Sequence, residues 1–411
     1  MTERLHGPPA LVLGGDMIGL SIARSLAPRG VRVFVLSLPH HPVRYSRHAE
    51  WIRLPGRPAE FWKRCVEFLT GPASEHLRGA VVLASVDEAI ELLIEHRVCL
   101  ERKFLLDRSN STAQRLMLDK VGTYLAAREA GVPTPRFWLV SSRTGLRNVA
   151  DELVFPLIIK PRHGHRFKAR FNGLKHLVAH SLAEADRALE TFEANGLEAF
   201  LVEAIPGPDD LLCSYYTYLD ETGRAYFDFT KRIIRRYPKN MGQATYHVTD
   251  DVPGIKELSL RLFRHVGLQG VANVEYKLDR RDGRYKLIEC NARFTGGNSL
   301  VLKSGVNIAE LVYCQATGLP LAEIPEFRRG MRMIYPWRDF SAFMELRRLQ
   351  DLDFLEWIGS LMHFQTFPIW SLRDPGPAVT PMILDIVRRL KRRWRLLWSG
   401  VATGRRLIRI R

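Results

Sequence analysis

The sequence lacks the features of a membrane-spanning or disulfide-bonded protein. Its 411 residues contain no run of about 20 apolar residues, so no transmembrane helix is predicted. The N-terminus shows no apolar core of a secretory signal, and the first apolar run is typical of a strand. The 5 cysteines are odd in number and form no C-x-x-C pair. We therefore expect reduced, buried cysteines in a cytoplasmic protein rather than a disulfide framework or a zinc site.

Acidic residues are scarce relative to basic ones, and the imbalance is greatest at the C-terminus. The formal net charge is +17, and residues 388–411 contain ten Lys or Arg and no acid. Upstream of this basic segment, Thr380 and Pro381 predict the start of a helix over residues 381–398. Its apolar positions form one stripe with arginines on the opposite side: Ile383, Ile386, Val387, Leu390, Trp394 and Leu397. Such a helix either lies on an anionic membrane at the inner face or docks on its own protein; nucleic acid is the less favoured partner.

The N-terminal region alternates strands and helices but lacks the acid that a dinucleotide site requires. Apolar strands and a glycine turn at residues 14–19 predict a doubly wound parallel sheet over residues 1–107. A dinucleotide-binding turn is followed, about 20 residues on, by an acid that binds the ribose. Ser37 stands near that position instead. The glycine turn keeps a nicotinamide or flavin oxidoreductase as an alternative to the function argued below, and the missing acid makes it the weaker one.

Two alternating segments near residue 280 predict a hairpin that brings two carboxylates together. Residues 279–283 are typical of its turn, and pairing of Asp279 with Tyr285 would set Glu275 directly opposite Glu289. Carboxylates at this distance repel each other unless a cation lies between them. With the amide oxygen of Asn291 they suit Mg²⁺, a hard ion that prefers oxygen ligands. The alternative is a solvated hairpin whose charges face water.

Alternation along the second strand of this hairpin predicts which side chains share a face. Glu289, Asn291 and Arg293 would lie on one face together with Tyr285 and Leu287. Arg293 would then hold an anion beside the metal ion.

Six polar residues occur in an order and spacing that resemble the ATP-grasp superfamily: Lys120, Lys160, Glu203, Glu275, Glu289 and Asn291. Three segments carry the resemblance: Leu-Asp-Lys120, the strand Ile-Ile-Lys160-Pro, and Glu289-Cys-Asn291-Ala-Arg293. Over about residues 10–320 the chain is similar to the carboxylate–amine ligases of that superfamily, including D-aspartate ligases and the carbamoyl-phosphate synthetase large subunit.

The resemblance implies a fold class and an order of domains. We expect an α/β and α+β protein whose N-terminal doubly wound domain, residues 1–107, precedes a two-lobed ATP-grasp domain over residues 108–325. The lobes are expected at residues 108–198 and 199–325. Residues 326–411 have no counterpart in the family core and would form an aromatic and basic extension.

The resemblance also implies roles for individual residues. Lys120 and Lys160 would contact the ATP phosphates, and Arg293 would neutralise the phosphoryl group as it is transferred. Glu203 and the backbone after it would bind adenine, and Asp210 would bind the ribose. The implied nucleotide-binding set is Lys120, Lys160, Glu203, Ala204, Ile205 and Asp210; the implied metal ligands are Glu275, Glu289 and Asn291, for Mg²⁺ or alternatively Mn²⁺.

The implied reaction is ATP-dependent ligation through an acyl phosphate, releasing ADP and phosphate. The substrates would be a small carboxylate and an amine, or alternatively a thiol; a homodimer is one candidate assembly. Arg235 is expected to bind the carboxylate of the acceptor substrate, because arginine binds carboxylates through two parallel hydrogen bonds. The segment after the metal strand is expected to form an oxyanion cradle from Gly297, Asn298 and Ser299.

One departure from the family concerns the loop after Lys160. Residues 162–170 contain one glycine where the family has a glycine-rich loop that closes over the phosphates. This departure puts the completeness of loop closure in doubt, but not the class of reaction. A third function class is a membrane- or RNA-binding protein with a vestigial nucleotide site.

Overall fold

A computed structural model describes residues 4–140, 142–164, 167, 170–171 and 174–404. The basic loop expected at residues 162–170 lies partly outside the described residues, as does the end of the basic tail after residue 404. The strands are β1 (Ala10–Leu13), β2 (Val33–Leu36), β3 (Glu50–Ile52), β4 (Val81–Ala84), β5 (Phe137–Trp138), β6 (Leu157–Pro161), β7 (Leu177–Ala179), β8 (Ala199–Glu203), β9 (Leu212–Leu219), β10 (Phe229–Tyr237), β11 (Gln243–Thr249), β12 (Gly270–Asp279), β13 (Arg284–Asn291), β14 (Arg332–Ile334) and β15 (Gln365–Thr366).

The α-helices are α1 (Met17–Leu26), α2 (Phe61–Thr70), α3 (Asp87–Leu100), α4 (Ser111–Leu118), α5 (Lys120–Glu129), α6 (Arg143–Asn148), α7 (Leu182–Ala194), α8 (Ile255–Val266), α9 (Asn298–Ser304), α10 (Ile308–Thr317), α11 (Pro336–Arg348), α12 (Phe354–Leu361) and α13 (Gly376–Gly404). Short 3₁₀ turns lie at Ala27–Arg29, Pro42–Tyr45, Pro58–Glu60, Pro72–Leu77, Ala150–Glu152 and Asp209–Leu211. Within the described part of the chain, no helix is long and apolar enough to cross a membrane.

The N-terminal domain is a four-stranded parallel sheet in the order β3-β2-β1-β4. Its central strands are apolar on both faces and fully buried, as expected for a parallel sheet that helices cover on each side. Side chains of α1 pack on one face, and those of α2 and α3 pack on the other. The doubly wound sheet predicted from the sequence is therefore confirmed.

The small lobe is an antiparallel sheet in the order β5-β8-β6-β7, with α6 and α7 packed against it. Strand β8 lies inside this sheet, between β5 and β6. The lobe boundary expected at residue 199 therefore falls within the small lobe. The chain passes to the large sheet between Glu203, where β8 ends, and Leu212, where β9 begins.

The large sheet has the order β13-β12-β9-β10-β11-β14-β15. Its outer face is covered by α4, α5 and α8, which share an apolar cluster with β12 and β13. The last two strands come from residues beyond 325, so the C-terminal extension is partly integrated into this sheet. Helix α11 is tied to it as well, because buried Asp339 accepts two hydrogen bonds from Arg235 on β10.

A single apolar cluster joins the N-terminal domain to the large sheet. It contains Val12 of β1, Leu311 of α10 and Tyr216 of β9. Because the two units share a core, the loops that follow β1 and β4 are held beside the large sheet. These loops form one wall of the cleft described below.

The C-terminal helix begins earlier than predicted, and its residues 382–391 are not docked on the protein. It begins at Gly376, so Pro381 lies inside the helix rather than at its first position. A Cβ at residue 376 would lie 2.2 Å from the carbonyl oxygen of Tyr45, so glycine allows the helix to start against the N-terminal domain. Asp374 fixes this start by accepting hydrogen bonds from Arg24 and Ser46. From residue 382 to 391 every side chain is exposed, which differs from the docked alternative.

Candidate active site

The three units enclose a cleft of about 800 Å³. The small lobe contributes β6 and the loop before β7, the large sheet contributes β10 to β13, and the N-terminal domain contributes residues 16–18 and 86–88. Among the residues proposed from the sequence, the cleft is lined by Lys120, Lys160, Glu203, Ala204, Ile205, Glu275, Glu289, Asn291, Arg293 and Gly297. The structure therefore brings together most of the predicted set.

The hairpin of β12 and β13 sets Glu275 directly opposite Glu289, as predicted. The register at the turn differs from the prediction, however, because Asp279 pairs with Arg284 and not with Tyr285. A β-bulge between Leu287 and Glu289 supplies the missing residue and restores the carboxylate pair. The prediction of the pair was right although the register assumed at the turn was wrong.

The bulge also corrects the predicted faces of β13. Leu287 pairs with Tyr276 and is fully buried in the apolar cluster under the sheet. Tyr285 packs against the same cluster. Neither side chain shares the cleft face with Glu289, because the extra residue at position 288 shifts the alternation by one.

The bulge residue Ile288 has a second role that the sequence did not indicate. Its carbonyl oxygen accepts a hydrogen bond from Lys160 Nζ at 2.9 Å and one from the Tyr124 hydroxyl at 3.2 Å. Lys160 Nζ also donates to the Tyr124 oxygen at 2.8 Å. Burial, reinforced by the nearby ammonium of Lys120, lowers the pKa of Lys160 to about 7. A bulge thus fixes the predicted phosphate lysine in the floor of the cleft.

The carboxylate pair has the donor set of a divalent cation site. Lys120 Nζ is hydrogen-bonded to Glu289, so a cation already lies against one of the two carboxylates. Asn291 lies two residues further along β13 and also lines the cleft. Two carboxylates and an amide oxygen are hard ligands that suit Mg²⁺ better than softer ions. In the described part of the chain, no three His, Cys, Asp or Glu residues are grouped so that they could hold a metal ion, so the candidate set depends on the amide of Asn291.

The predicted adenine end lies where β8 leaves the small lobe. Glu203 is buried, and its carboxylate accepts from the Arg136 backbone and from the Arg281 guanidinium. The next residues line the cleft: Ala204 N–H donates to the Pro156 carbonyl, and the Ile205 carbonyl accepts from Lys277. Glu203 therefore lines the cleft while it is ion-paired with Arg281, and two donors fix the orientation of its carboxylate.

Asp210 does not reach this cleft. Its side chain is exposed, and it is absent from the cleft lining. The neighbouring Asp209 is the buried one, and it binds Arg236 Nε and the Asn240 backbone. On this side the cleft is lined instead by Lys277. Burial lowers the pKa of Lys277 to about 8.

Arg293 lies at the junction between the end of β13 and the N-terminal domain. Its Nε donates to Asp87 at the start of α3, and its terminal nitrogen donates to the Phe294 carbonyl at 2.9 Å. The Tyr216 hydroxyl holds the adjacent backbone by donating to the Arg293 carbonyl at 3.2 Å. The guanidinium is thereby positioned at the cleft wall next to Asn291.

Arg235 is a correction to the predicted substrate site. The register of β10 against β11 shifts between Ile233 and Arg235, so Arg235 leaves the cleft face that Lys231 and Ile233 share. Its guanidinium is 5% exposed and binds Asp339 through two hydrogen bonds of 2.9 Å. It therefore ties α11 to the sheet, and Arg236 lines the cleft in its place.

The predicted oxyanion cradle is also only partly present. Gly297 lines the cleft together with Thr295 and Gly296. Asn298 turns away, because its buried amide donates to Ser21 of α1 at 2.7 Å. Ser299 is likewise outside the lining. The cradle, if formed by backbone, would involve residues 295–297.

The N-terminal glycine turn is filled by the protein's own side chains. A Cβ on Gly15 would lie 2.2 Å from the Ser37 Cβ, and one on Gly14 would lie 2.4 Å from the Ser85 hydroxyl. Asp16 caps the start of α1 by accepting from the Ile18 N–H at 2.8 Å. A pyrophosphate would meet both this packing and a carboxylate, so the geometry disfavours the dinucleotide alternative.

Several cleft residues were missed from the sequence. Tyr124 and Lys277 lack a signal because they lie in ordinary helix and strand patterns. Lys231 and His247 on neighbouring strands belong to alternating segments, and only their joint burial distinguishes them. Tyr335 comes from the C-terminal extension, where no role in the cleft was expected; its hydroxyl is 3.3 Å from the Gly296 carbonyl oxygen.

Comparisons with known proteins agree with this architecture. A family model described as "ATP-grasp in the biosynthetic pathway with Ter operon" matches residues 225–336. A D-aspartate ligase of Enterococcus faecium is 22% identical over 315 residues, covering 74% of this chain and 75% of that protein. A D-alanine–D-alanine ligase of Stutzerimonas stutzeri is 26% identical over 195 residues, covering 44% of this chain and 57% of that protein.

Other relatives are matched over smaller parts of their length. The arginine-specific carbamoyl phosphate synthase large chain of Cutaneotrichosporon cutaneum is 25% identical over 207 residues, which is 49% of this chain but 17% of that protein.

Solved structures share the fold at low sequence identity. The ADP complex of an N5-carboxyaminoimidazole ribonucleotide synthetase matches with a TM-score of 0.61 and 16% identity, covering 81% of this chain and 82% of that one. An L-amino acid ligase of Bacillus licheniformis matches with a TM-score of 0.56 and 18% identity, covering 80% and 79% of the two chains. The chain is thus similar in sequence to ATP-grasp proteins, among them carboxylate–amine ligases, and it shares its fold with solved structures of such enzymes.

Proposed function

We propose that this protein is an ATP-dependent ligase that joins a small carboxylic acid to an amine. The oxygen of the carboxylate attacks the γ-phosphorus of ATP, which gives an acyl phosphate and ADP. The amine then attacks the acyl carbon, loses a proton, and displaces phosphate to form an amide. The observation that carries the proposal is the carboxylate pair of Glu275 and Glu289 facing Lys120 and Lys160 across one cleft.

The nucleotide is proposed to lie between the small lobe and the large sheet. Lys120 and Lys160 face its phosphates, and Glu203 with the backbone of Ala204 and Ile205 faces adenine. The Nζ of Lys160 is held in a fixed position in the cleft lining, because it donates to the Tyr124 oxygen and to the Ile288 carbonyl. Such pre-set cations cost little reorganisation when charge moves during the reaction.

Glu275, Glu289 and Asn291 would hold Mg²⁺, with Mn²⁺ as the alternative ion. When bound, the metal ion would supply positive charge that neutralises part of the phosphate charge. Lys120, now against Glu289, would be freed to bind phosphate once a metal ion compensates that carboxylate. Arg293 is proposed to neutralise the oxygens of the transferred phosphoryl group from its place at the cleft wall.

The test is to trap the acyl phosphate. With Mg-ATP, pools of amino acids and other small acids, and hydroxylamine in place of the amine, we expect acid-dependent formation of a hydroxamate together with ADP. Release of AMP and pyrophosphate, or ADP release that no acid stimulates, would contradict the proposed reaction. Nicotinamide or flavin absorbance changes would support the oxidoreductase alternative.

We also propose that the protein acts in the cytoplasm, at the inner face of an anionic membrane. The support comes from α13, where apolar side chains are exposed next to Arg388, Arg389 and Lys391. The exposed apolar side chains are Met382, Ile383, Leu384, Ile386, Val387, Leu390 and Trp394. An amphipathic helix with a cationic side can bury such a stripe at the lipid interface.

Sedimentation with vesicles tests this location. The full chain is expected to bind vesicles with anionic lipid more strongly than neutral ones, and binding should weaken as salt rises. Replacing Arg388, Arg389 and Lys391 by Gln should reduce binding, whereas Arg57→Gln on the exposed surface should not. Equal binding to neutral vesicles, or a stable dimer that covers the same stripe, would overturn the membrane proposal.

A further inference from the structure

Lys231 and His247 form a buried basic pair on the cleft face of the large sheet. Lys231 lies on β10 and His247 on β11, and each side chain is 6% exposed. Lys231 Nζ lies 3.4 Å from His247 Nδ1, and both residues line the cleft. A Cβ on Gly297 would lie 3.1 Å from Lys231 Cε, so the lysine packs directly beneath the loop after the metal strand.

This ammonium is less well compensated than the other buried lysines of the cleft. Lys160 Nζ has two oxygen acceptors and Lys277 Nζ has two carbonyl acceptors. Among the described residues, Lys231 Nζ contacts the His247 imidazole nitrogen and forms no ion pair with an acid. Burial lowers the pKa of both Lys231 and His247; the carboxylate of Glu275 opposes this effect for Lys231 but forms no ion pair with it. A buried cation with so little compensation is costly unless an anion joins it.

The strand register relates this pair to the metal site. Ser214 on β9 pairs with Glu275 on one side and with Lys231 on the other, so the three side chains share a face. The Ser214 hydroxyl is buried and has no hydrogen-bond partner among the described residues. Lys231 is two strand spacings, roughly 10 Å, from Glu275. A row of polar groups therefore leads from the carboxylate pair to an unsatisfied donor and a buried ammonium.

The outer side of this row is formed by the C-terminal extension. The ring of Tyr335 is 6.3 Å from that of His247, measured between centroids. Arg338, three residues further on, lines the cleft mouth and is bonded to Gln243 of β11. The chain segment beyond residue 325 thus adds a cation to the basic end of the cleft.

We propose that Lys231 and His247 hold a second anionic group of the acid substrate, above the buried Ser214. This group is distinct from the carboxylate that receives the phosphoryl group, and it is a carboxylate or a phosphate. The acid lies over Ser214, with its reacting carboxylate toward Glu275 and its second anion on Lys231. That the bound anion belongs to the acid substrate rests on the proposed function, but anion binding itself can be measured without turnover.

Ligand-induced stabilisation of the full-length protein tests the site. The probes are matched pairs that differ in one anionic group: aspartate with 2-aminobutyrate, glutamate with norvaline, and 3-phosphoglycerate with glycerate. We expect a higher Tm with at least one doubly anionic member and no comparable rise with its partner. Which dianion acts distinguishes a carboxylate from a phosphate. No preferential rise with any dianion in the wild type overturns the proposal.

Variants assign the effect to the pair. In Lys231→Met, at least tenfold more of the doubly anionic ligand should be needed to give the same rise in Tm. The rise in Tm caused by Mg-ATP should be unchanged. His247→Leu is a second variant with a smaller expected loss. Lys239→Met is the matched control, because Lys239 also lines the cleft but is already paired with Asp351 at 2.6 Å. An unchanged dianion shift in Lys231→Met overturns the proposal.

Turnover then separates this inference from the proposed function. If dianions are bound through Lys231 but no acid yields hydroxamate, the anion site stands and the ligase proposal fails. If hydroxamate forms equally well from both members of every pair, the ligase proposal stands and the second-anion site fails.

Discussion

Two hairpins of the large sheet carry the cleft, and both contain an irregular register. In the β12–β13 hairpin the extra residue, Ile288, leaves Glu275 and Glu289 paired on the cleft face. In the β10–β11 hairpin the shift after Ile233 moves Arg235 to the opposite face. The same alternation rule therefore gave a correct carboxylate pair in one hairpin and a wrong arginine in the other.

The difference lies in whether a second change of register compensates the irregularity. In β13 the turn pairs Asp279 with Arg284, one residue away from the predicted register, and the extra residue Ile288 restores that register before Glu289. In β10 the shift between Ile233 and Arg235 has no such compensation before Arg235, so Arg235 lies on the face opposite to that of Lys231. A one-residue change in register reverses the face of every later side chain.

The largest expected effect concerns Arg235. Arg235→Met would leave Asp339 buried without its cation, and breaking a buried pair from one side costs about 3–5 kcal/mol. Denaturant unfolding should detect this loss, and the double variant with Asp339→Leu should recover part of it.

Arg232→Met is the matched control on the same strand. Its ion pair with Asp250 is about 40% exposed on both sides, so the expected loss is less than about 1 kcal/mol. If Arg235→Met unfolds like the control and instead raises KM for a substrate, Arg235 belongs to the cleft after all.

The second prediction concerns the carboxylate pair. Glu289→Gln keeps the size of the side chain but removes half of the charge that holds a divalent ion. We expect ADP release to fall by about 10²–10³-fold, the size of losing one pre-set electrostatic contact. Magnesium-dependent nucleotide binding, measured by titration calorimetry, should weaken as well.

Glu221→Gln, in the exposed turn after β9, provides the comparison for Glu289→Gln. It should retain wild-type ADP release. Full magnesium dependence in Glu289→Gln would mean that the hairpin carboxylates are not metal ligands.

The third prediction concerns the pH dependence of stability. The pKa of Lys160 falls from its ordinary value of 10.5 to about 7 in the folded state. Between these pH values the unfolded chain binds a proton that the folded chain does not, so folding becomes more favourable as pH rises. The contribution of Lys160 should grow by at most about 1.4 kcal/mol per pH unit.

Lys160→Met removes this contribution. In the metal-free protein, the difference in unfolding free energy between wild type and variant should change between pH 7 and 10, in favour of the wild type at high pH. A constant difference across this range would show that Lys160 keeps an ordinary pKa.

The smallest expected effect concerns Tyr124. Tyr124→Phe removes the hydroxyl that contacts both Lys160 and the Ile288 carbonyl. Loss of such a neutral hydrogen bond costs about 1 kcal/mol. We expect a modest rise in KM for ATP with little change for other substrates; no change in KM would mean that the bulge carbonyl alone positions Lys160.

The sequence was sufficient for the parts of the fold that depend on local pattern. Apolar strands and the glycine turn predicted the parallel sheet, and alternation around Asp279 predicted the hairpin. The sheet and the hairpin follow from short-range residue patterns, which act without distant contacts. That Lys120, Lys160 and Glu203 line one cleft was instead expected from the resemblance, and the structure brings them together; their role toward a nucleotide stays a prediction.

The missing parts depend on contacts between distant segments. Arg235 could not be placed without Asp339, which lies 104 residues further along the chain. Lys231 and His247 are distinguished by shared burial, which no spacing rule reports. The start of α13 at Gly376 depends on the backbone of Tyr45, so the local proline signal at Pro381 was misleading.

The pairing of β14 with β11 has a practical consequence for dividing this protein into fragments. A shortened chain that stops near residue 325 would retain the proposed metal ligands but expose β11 as an open sheet edge, a surface prone to self-association. The shortened chain would also lack Asp339, the buried partner of Arg235. The smallest independently stable unit must therefore extend through β15, beyond the end that family resemblance suggests.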